Sequence, residues 1–411
     1  MSTLLLLLAT YLGAQPHPVE EFLRSLEDSP RLRGMHMAQQ AQLTSGDART
    51  MGMDLRVGYE VMDPDNPDMR THQFQIKQEL TGILTNPLER EKGLLRSRMA
   101  ALETEKLRRD LRTTARVSLA QWASLGLRRQ YLKETKILLD QIKALAQVKF
   151  ATGTLDLVDW NRLEGELDET DLERLEIEER FQMLVGEFEK LTPSGAAIRD
   201  WAAFQAVTRT DFPPREEFLK KAQSNWPKLN SSESMGEILE LERSGAYSGA
   251  FPAVMAMAGW RFPEAQPIQG TLTLGIEFSL PTLTLPSRFA MAEEAGWMKK
   301  QEAENQAQAL LDLKSAYGEY TGRITLQEQM IQKIETGLIP RQLQSIQLLM
   351  DAYRVGRAEF SQLLETGISL ASLRDDLAQR RLEVAKLYLA LETFTGETYL
   401  NFETIREDDI K

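Results

Sequence analysis

An aromatic residue followed three positions later by glycine occurs twice between long helix-forming stretches, as Phe150-Ala151-Thr152-Gly153 and Tyr353-Arg354-Val355-Gly356. Subtracting 153 from 356 gives an offset of 203, and the same offset carries Trp160 onto Leu363 and Leu167 onto Leu370. After Gly356, Leu363, Leu370, Leu377, Val384 and Leu391 recur at heptad spacing, and Leu373, Leu387 and Phe394 share their face. After Gly153, Trp160, Leu167, Phe181 and Phe188 do the same, with Leu163, Ile177, Leu184 and Leu191 three positions on from members of that series or from their polar equivalent Arg174. A glycine between two such helices ends the first by adopting the left-handed conformation, which costs it no Cβ clash. The pattern therefore predicts a helical hairpin built twice.

A second match supports the duplication. Phe22-Leu23-Arg24-Ser25-Leu26 before Ser29-Pro30-Arg31-Leu32 returns as Phe218-Leu219-Lys220-Lys221-Ala222 before Trp226-Pro227-Lys228-Leu229, 197 positions later. Pro30 sits where a helix can open without needing its N–H. Next in each half come two runs of period-two alternation, the strand signature. Leu55, Val57, Tyr59 and Val61 alternate with Arg56, Gly58 and Glu60, and Phe74, Ile76 and Leu80 with Gln75, Lys77 and Glu79. In the second half Val254, Ala256, Ala258 and Trp260 alternate with Met255, Met257 and Gly259, and Leu272, Leu274, Ile276, Phe278 and Leu280 with Thr271, Thr273, Gly275, Glu277 and Ser279. Asp63-Pro64-Asp65-Asn66-Pro67-Asp68 is a turn cluster between the first pair. Strands of this length suit a tilted bilayer crossing with apolar residues outward, or the edge hairpin of a soluble β-sandwich.

The expected organisation is 1–14, a secretory signal; 15–191, a first repeat with a hairpin at 55–80, a long helix at 89–148 and a heptad helix at 155–191; and 192–214, a linker. A second repeat at 215–396 follows, with a hairpin at 253–280, a long helix at 288–350 that Pro340 interrupts and a heptad helix at 358–395; 397–411 is an acidic tail. The signal reading rests on Leu4 to Leu12 before Gly13-Ala14, although no Lys or Arg precedes that run, and a buried N-terminal segment is its alternative. A stretch of ~60 residues such as 89–148 would extend roughly 90 Å as helix.

Composition narrows the chemistry. The net charge of −12 without a basic stripe argues against a nucleic-acid partner. The absence of cysteine removes disulfides, thiolate nucleophiles and cysteine metal sites, and the three histidines are scattered. No nucleophile, base and orienting group stand at a recognisable spacing, so no enzyme and no cofactor are expected. Met35-His36-Met37, Met51-x-Met53 and Met255-x-Met257 carry soft-metal donors, but none recurs at matching positions in the two halves. Methionine more often fills gaps in apolar contacts, and no metal site is assigned.

Four strands cannot close a barrel, and open sheet edges cannot sit in hydrocarbon, so membrane strands would have to be pooled between copies. The order of helix, Ser-Pro-Arg-Leu, hairpin, long helix, aromatic-x-x-Gly and heptad helix, given twice, resembles the TolC-type outer membrane efflux protein family across nearly the whole chain. The most specific part is Pro340 with Tyr353-x-x-Gly356, Leu363-Leu364-Glu365 and the heptads to Gly396. The resemblance implies an α+β, mostly α fold, in which long antiparallel coiled-coil helices form a periplasmic α-barrel and two hairpins join a shared transmembrane β-barrel. It also implies a homotrimer in outer membrane lipid, serving as the exit duct of a tripartite efflux pump or type I secretion system. A periplasmic adaptor and an inner-membrane transporter would engage the tips, here Phe150, Gly153, Tyr353, Arg354, Val355, Gly356 and Arg357. The family narrows its tunnel near the tips with acidic rings; by position these fall at Glu365 and at Gln362, where the acid is missing, and Asp159 and Asp156 of the first copy could supply it. The same acids could equally be solvated charges on an exposed face. A coiled-coil interaction protein without a channel remains the other class of reading, though it would have no use for apolar-outward strands.

Overall fold

In a computed structural model of the chain, the described residues are 18–51, 55–62, 70–192, 204–208, 213–248, 253–263, 270–279 and 285–404. The expected signal at 1–14, the turn cluster at 63–68 and the last part of the tail, 405–411, lie outside them. The helices are α1 (Pro18–Ser25), α2 (Pro30–Met51), α3 (Thr81–Ala151), α4 (Leu157–Leu191), α5 (Arg215–Asn225), α6 (Pro227–Ser248), α7 (Leu285–Lys333), α8 (Ile339–Arg354) and α9 (Phe360–Thr395). The strands are β1 (Leu55–Met62), β2 (Thr71–Glu79), β3 (Phe204–Thr208), β4 (Ala253–Pro263), β5 (Thr271–Ser279) and β6 (Leu400–Thr404). Contacts divide the chain into two units, each drawing on both sequence halves. Met1–Arg33, Leu107–Trp226 and Asp312–Lys411 form one, here the turn unit; Gly34–Lys106 and Pro227–Leu311 form the other, the sheet unit.

The turn unit holds three apolar clusters that follow the heptads. In the first, Phe22 of α1 and Phe188 of α4 meet edge to face at 5.2 Å, and Leu119 of α3 and Phe181 of α4 complete the packing. The second is built from the corresponding parts of the other half: Phe218 of α5 lies 4.9 Å from Tyr317 of α7 and packs with Val384, Leu387 and Leu391 of α9. The third gathers residues of both halves beside the glycines, among them Ile142, Leu163, Ile346, Leu363 and Leu370. The heptad positions Leu363, Leu370, Leu377, Val384 and Leu391 are all buried, so the 3.5-residue period marks the packed seam.

Two features depart from the sequence expectations. The long helix expected over 89–148 runs from Thr81 to Ala151 as α3 and takes in Pro87. The break near Pro340 falls before it, as a π-helical turn over Ile334–Leu338 in which the Ile339 N–H donates to the Ile334 carbonyl. Proline has no N–H and its ring crowds the carbonyl four residues back, and widening the preceding turn relieves that crowding while the chain stays helical.

The segment 192–214 and the tail also carry strands that the alternation did not reveal. β3 and β6 pair antiparallel, with Phe204 opposite Thr404 and Thr208 opposite Leu400. A buried polar knot holds β6. Gly396 ends α9 at φ 73°, and Glu392 in the last turn accepts N–H bonds from Tyr399 (2.6 Å) and Leu400 (2.8 Å). Arg116 of α3 pairs with Glu392 and donates to the Leu400 carbonyl. Burial pushes the Glu392 carboxyl up and the Arg116 guanidinium down from their usual values, while Arg116 and the two backbone donors favour the charged carboxylate.

Candidate functional site

The two glycine turns are built alike. Gly153 has φ 73° and Gly356 φ 74°, the left-handed conformation expected of them. Gly153 N–H donates to the Phe150 carbonyl (3.0 Å) and Thr154 N–H to that of Lys149 (2.9 Å). At the matching positions Gly356 donates to Tyr353 (3.1 Å) and Arg357 to Ala352 (2.8 Å). This pair of bonds is the Schellman closure, which satisfies carbonyls at a helix end through a left-handed residue. Both turns lead back into a helix after three more residues in extended or bent backbone.

The copies differ in what surrounds the turn. Asp156 caps α4, its carboxylate accepting from Val158 N–H at 3.1 Å, whereas Glu359 at the start of α9 makes no such side-chain bond. Phe150 stacks on Trp160 with centroids 5.0 Å apart; Tyr353 meets Phe360 at 5.7 Å. Lys149 places its ammonium 5.8 Å from the Tyr353 ring, linking the end of α3 to the end of α8. Tyr353 is almost wholly buried, its hydroxyl has no hydrogen-bond partner among the described residues, and burial followed by the nearby Asp159 charge raises its pKa. Val148, Leu157, Val158 and Val355 are exposed, so the turns present apolar surface among charges. Arg354 pairs with Asp351 in the last turn of α8 at 3.0 Å.

Of the residues expected to line a constriction, Glu365 is exposed and meets Arg162 at 3.4 Å. Arg162 and Glu365 are themselves 203 positions apart, so the return helices α4 and α9 touch in the register of the duplication. Gln362 accepts a bond from Thr366 through its backbone carbonyl (2.6 Å), and Asp159 lies in the first turn of α4. Farther along, α3, α4 and α9 enclose a cavity of about 340 Å³ lined by Arg128, Tyr131, Glu166, Glu173 and Asp375 among others. Burial raises the carboxyls of Glu166 and Glu173; Glu169 adds to the first, and Asp375 adds to the second. In the sequence the acids of Glu164 to Glu179 read as the polar face of a coiled coil; that Glu166, Glu169 and Glu173 of α4 line a cavity with Asp375 of α9 depends on helix packing that the spacing does not show.

The sheet unit supplies the second candidate surface. Its four strands run in the order β1-β2-β4-β5, all antiparallel, so the two hairpins stand side by side with β1 and β5 at the edges. The register pairs Val57 with Ile76, Ile76 with Ala258 and Ala258 with Leu274, and places Val254 opposite Phe278. Because side chains alternate strictly, these pairings put every apolar set on one face. That face is open: Val57 is 70% exposed, Leu274 73% and Phe278 66%. The other face is polar, with Lys77 3.0 Å from Glu277 and Arg261 bonded to Gln73 at 2.8 Å. At the end of the strands where the hairpins turn, the apolar face becomes aromatic. Tyr59 bonds His72 Nδ1 at 2.5 Å, and Phe262 lies 5.4 Å from His72 and 6.1 Å from Phe74. This grouping needs the cross-strand register and is invisible to alternation alone. Among the described residues no helix is long and apolar enough to cross a membrane, and no cluster of His, Cys, Asp and Glu could hold a metal.

No family model matches the chain, and no curated protein is recognisably similar to it in sequence. Solved structures are similar over nearly the whole length. The outer-membrane channel OprN aligns with 93% of this chain and 90% of its own, at TM-score 0.76 and 14% identity. CusC, described for its folding and transmembrane channel formation, aligns with 92% of this chain and 91% of its own at TM-score 0.76 and 13% identity. The outer membrane protein VceC of Vibrio cholerae aligns with 93% and 96% at TM-score 0.75 and 14% identity. Identities this low speak to architecture. The chain has the fold of the TolC-type outer membrane channels.

Proposed function

We propose that this protein is a passive exit duct of the outer membrane, assembled from three copies. The observation that carries the reading is a four-stranded sheet with one exposed apolar face, one polar face and two edge strands. Such a sheet is stable in hydrocarbon only when its edges are paired. Three copies would supply about twelve strands, a count above the eight that side chains alone can fill, which leaves a water-filled lumen lined by the polar face. The similar architecture of OprN, CusC and VceC supports that arrangement. The helices would continue the conduit into the periplasm, with a periplasmic adaptor and an inner-membrane transporter docking on the glycine turns, where Val355, Leu157 and Val158 offer exposed apolar contacts. The pump class, whether tripartite efflux or type I secretion, follows from those partners. An N-terminal signal at 1–14 would direct the chain there.

Near the turns, Asp159 and Glu365 would form a charged constriction when repeated about a threefold axis, with Arg162 offsetting part of the Glu365 charge. Charged rings in narrow pores select by sign. The test is purified protein in a planar bilayer under a salt gradient. The reading expects discrete conductance with a reversal potential on the cation side, reduced by Asp159→Asn with Glu365→Gln. Failure to conduct at all from protein that has inserted would overturn the duct; an unchanged reversal potential would overturn only the constriction.

A further inference from the structure

In the sheet unit, α3, α6 and α7 line an open-sided cavity of about 570 Å³ bounded by Leu88, Lys92, Gly245, Ser248, Arg288 and Met291. It lies beside the strands: Ser248 ends α6 just before Ala253 opens β4, and Arg288 is in the first turn of α7 after Ser279 closes β5. Lys92 is 9% exposed, an unusual burial for lysine. A Cβ at Gly245 would stand 3.1 Å from its Nζ, so the absent side chain is what admits the ammonium. Glu242 and Glu294 also border the cavity, Glu242 being shared with Arg96 at 3.3 Å. The cavity thus combines two cations and two carboxylates with apolar walls.

Its surroundings have the composition of a membrane–water boundary, where amphipathic aromatics and long cations gather. Tyr247 and Phe289, both exposed, have ring centroids 6.2 Å apart. Arg243 lies 5.9 Å over Tyr247, and exposed Trp297 carries the Lys300 ammonium at 4.2 Å. With the Tyr59, His72, Phe74 and Phe262 group at the opposite end of the strands, aromatic belts flank an aliphatic middle containing Ile76, Leu274 and Ile276.

We infer that this cavity binds the headgroup of a zwitterionic glycerophospholipid bearing phosphate and a primary ammonium, in the leaflet that meets the helices. The inference rests on the sheet being the membrane-spanning part. Lys92, Arg288 and the Ser248 hydroxyl, which in this structure donates to the Gly245 carbonyl at 3.0 Å, suit a phosphate. Glu294 and Glu242 suit the ammonium and disfavour a bare anion. Burial of Lys92 strengthens its attraction for a phosphate relative to the same group in water. Leu88 and Met291 supply apolar wall for the glycerol end.

The test uses full-length protein, purified in detergent, stripped of lipid and given defined lipids, with retained lipid counted by native mass spectrometry. Phosphatidylethanolamine should be retained over phosphatidylglycerol, and glycerophosphate should not be retained. Lys92→Gln and Arg288→Gln should each weaken retention about tenfold, the effect of losing one charge-assisted contact. Arg288 is exposed, so its variant carries the test if Lys92→Gln fails to assemble. Equal retention by wild type and Arg288→Gln, or a preference for phosphatidylglycerol, would overturn the assignment. Protein that inserts into vesicles but shows either result removes the headgroup site alone; protein that stays in solution without detergent removes the membrane reading beneath it.

Discussion

At Gly153 and Gly356 backbone conformation, rather than space, restricts the residue. A Cβ at Gly153 would touch nothing within 4 Å, and one at Gly356 would find only the Lys149 ammonium at 3.9 Å, yet both have φ above 70°. Gly356→Val should therefore cost about 1–2 kcal/mol through left-handed strain, and Gly356→Asn less, since asparagine visits that region. The predicted readout is graded loss of adaptor cross-linking at the turn, Val worse than Asn, with membrane assembly retained. Equal loss in both variants would point to side-chain recognition in place of strain. The Arg116–Glu392 pair poses the opposite problem, a residue that matters through burial. Removing one partner of a buried ion pair leaves the other charge uncompensated, at about 3–5 kcal/mol. Arg116→Met should free β6, making residues 397–404 more accessible to protease while cleavage at the glycine turns stays as in the wild type. This pair was illegible in the sequence, because Arg116 and Glu392 are 276 positions apart and neither belongs to a repeated motif.

At the scale of elements, what could be read was whatever repeats with a short period. The heptads of α4 and α9 and the alternation of the four strands come directly from side-chain geometry, so Leu363 and Leu370 are buried and Leu274 and Ile276 share a face. The strands β3 and β6 were missed because five residues in Phe-Gln-Ala-Val-Thr and Leu-Asn-Phe-Glu-Thr give too little alternation to separate from a linker. Pro340 marks the interruption, but the π turn itself was not legible, because the strain of a proline is relieved upstream of the residue that causes it. The sheet makes the sharper prediction. Leu274→Arg or Ile276→Arg puts a charge on the apolar face, at a cost of roughly 2–4 kcal/mol if that face meets mid-bilayer lipid. Thr273→Arg, on the polar face, should be tolerated. Heat-resistant oligomer in the outer membrane fraction is the measure, and similar yields from all three variants would show that the apolar face meets something other than lipid.

For the whole molecule, the proposal is that a single chain is one part of a larger assembly. Among the described residues its sheet has two edge strands and an exposed apolar face, and its duplicated halves interleave, so that each unit takes elements from both. In the proposed duct, closure about an axis would answer the edges, and lipid would answer the face. The copy number is the claim on which lumen, constriction and docking turns all depend. Native mass spectrometry of the detergent-purified protein measures it directly. The account predicts a single species of three chains that survives dilution; a monomer stable in water without detergent would contradict it.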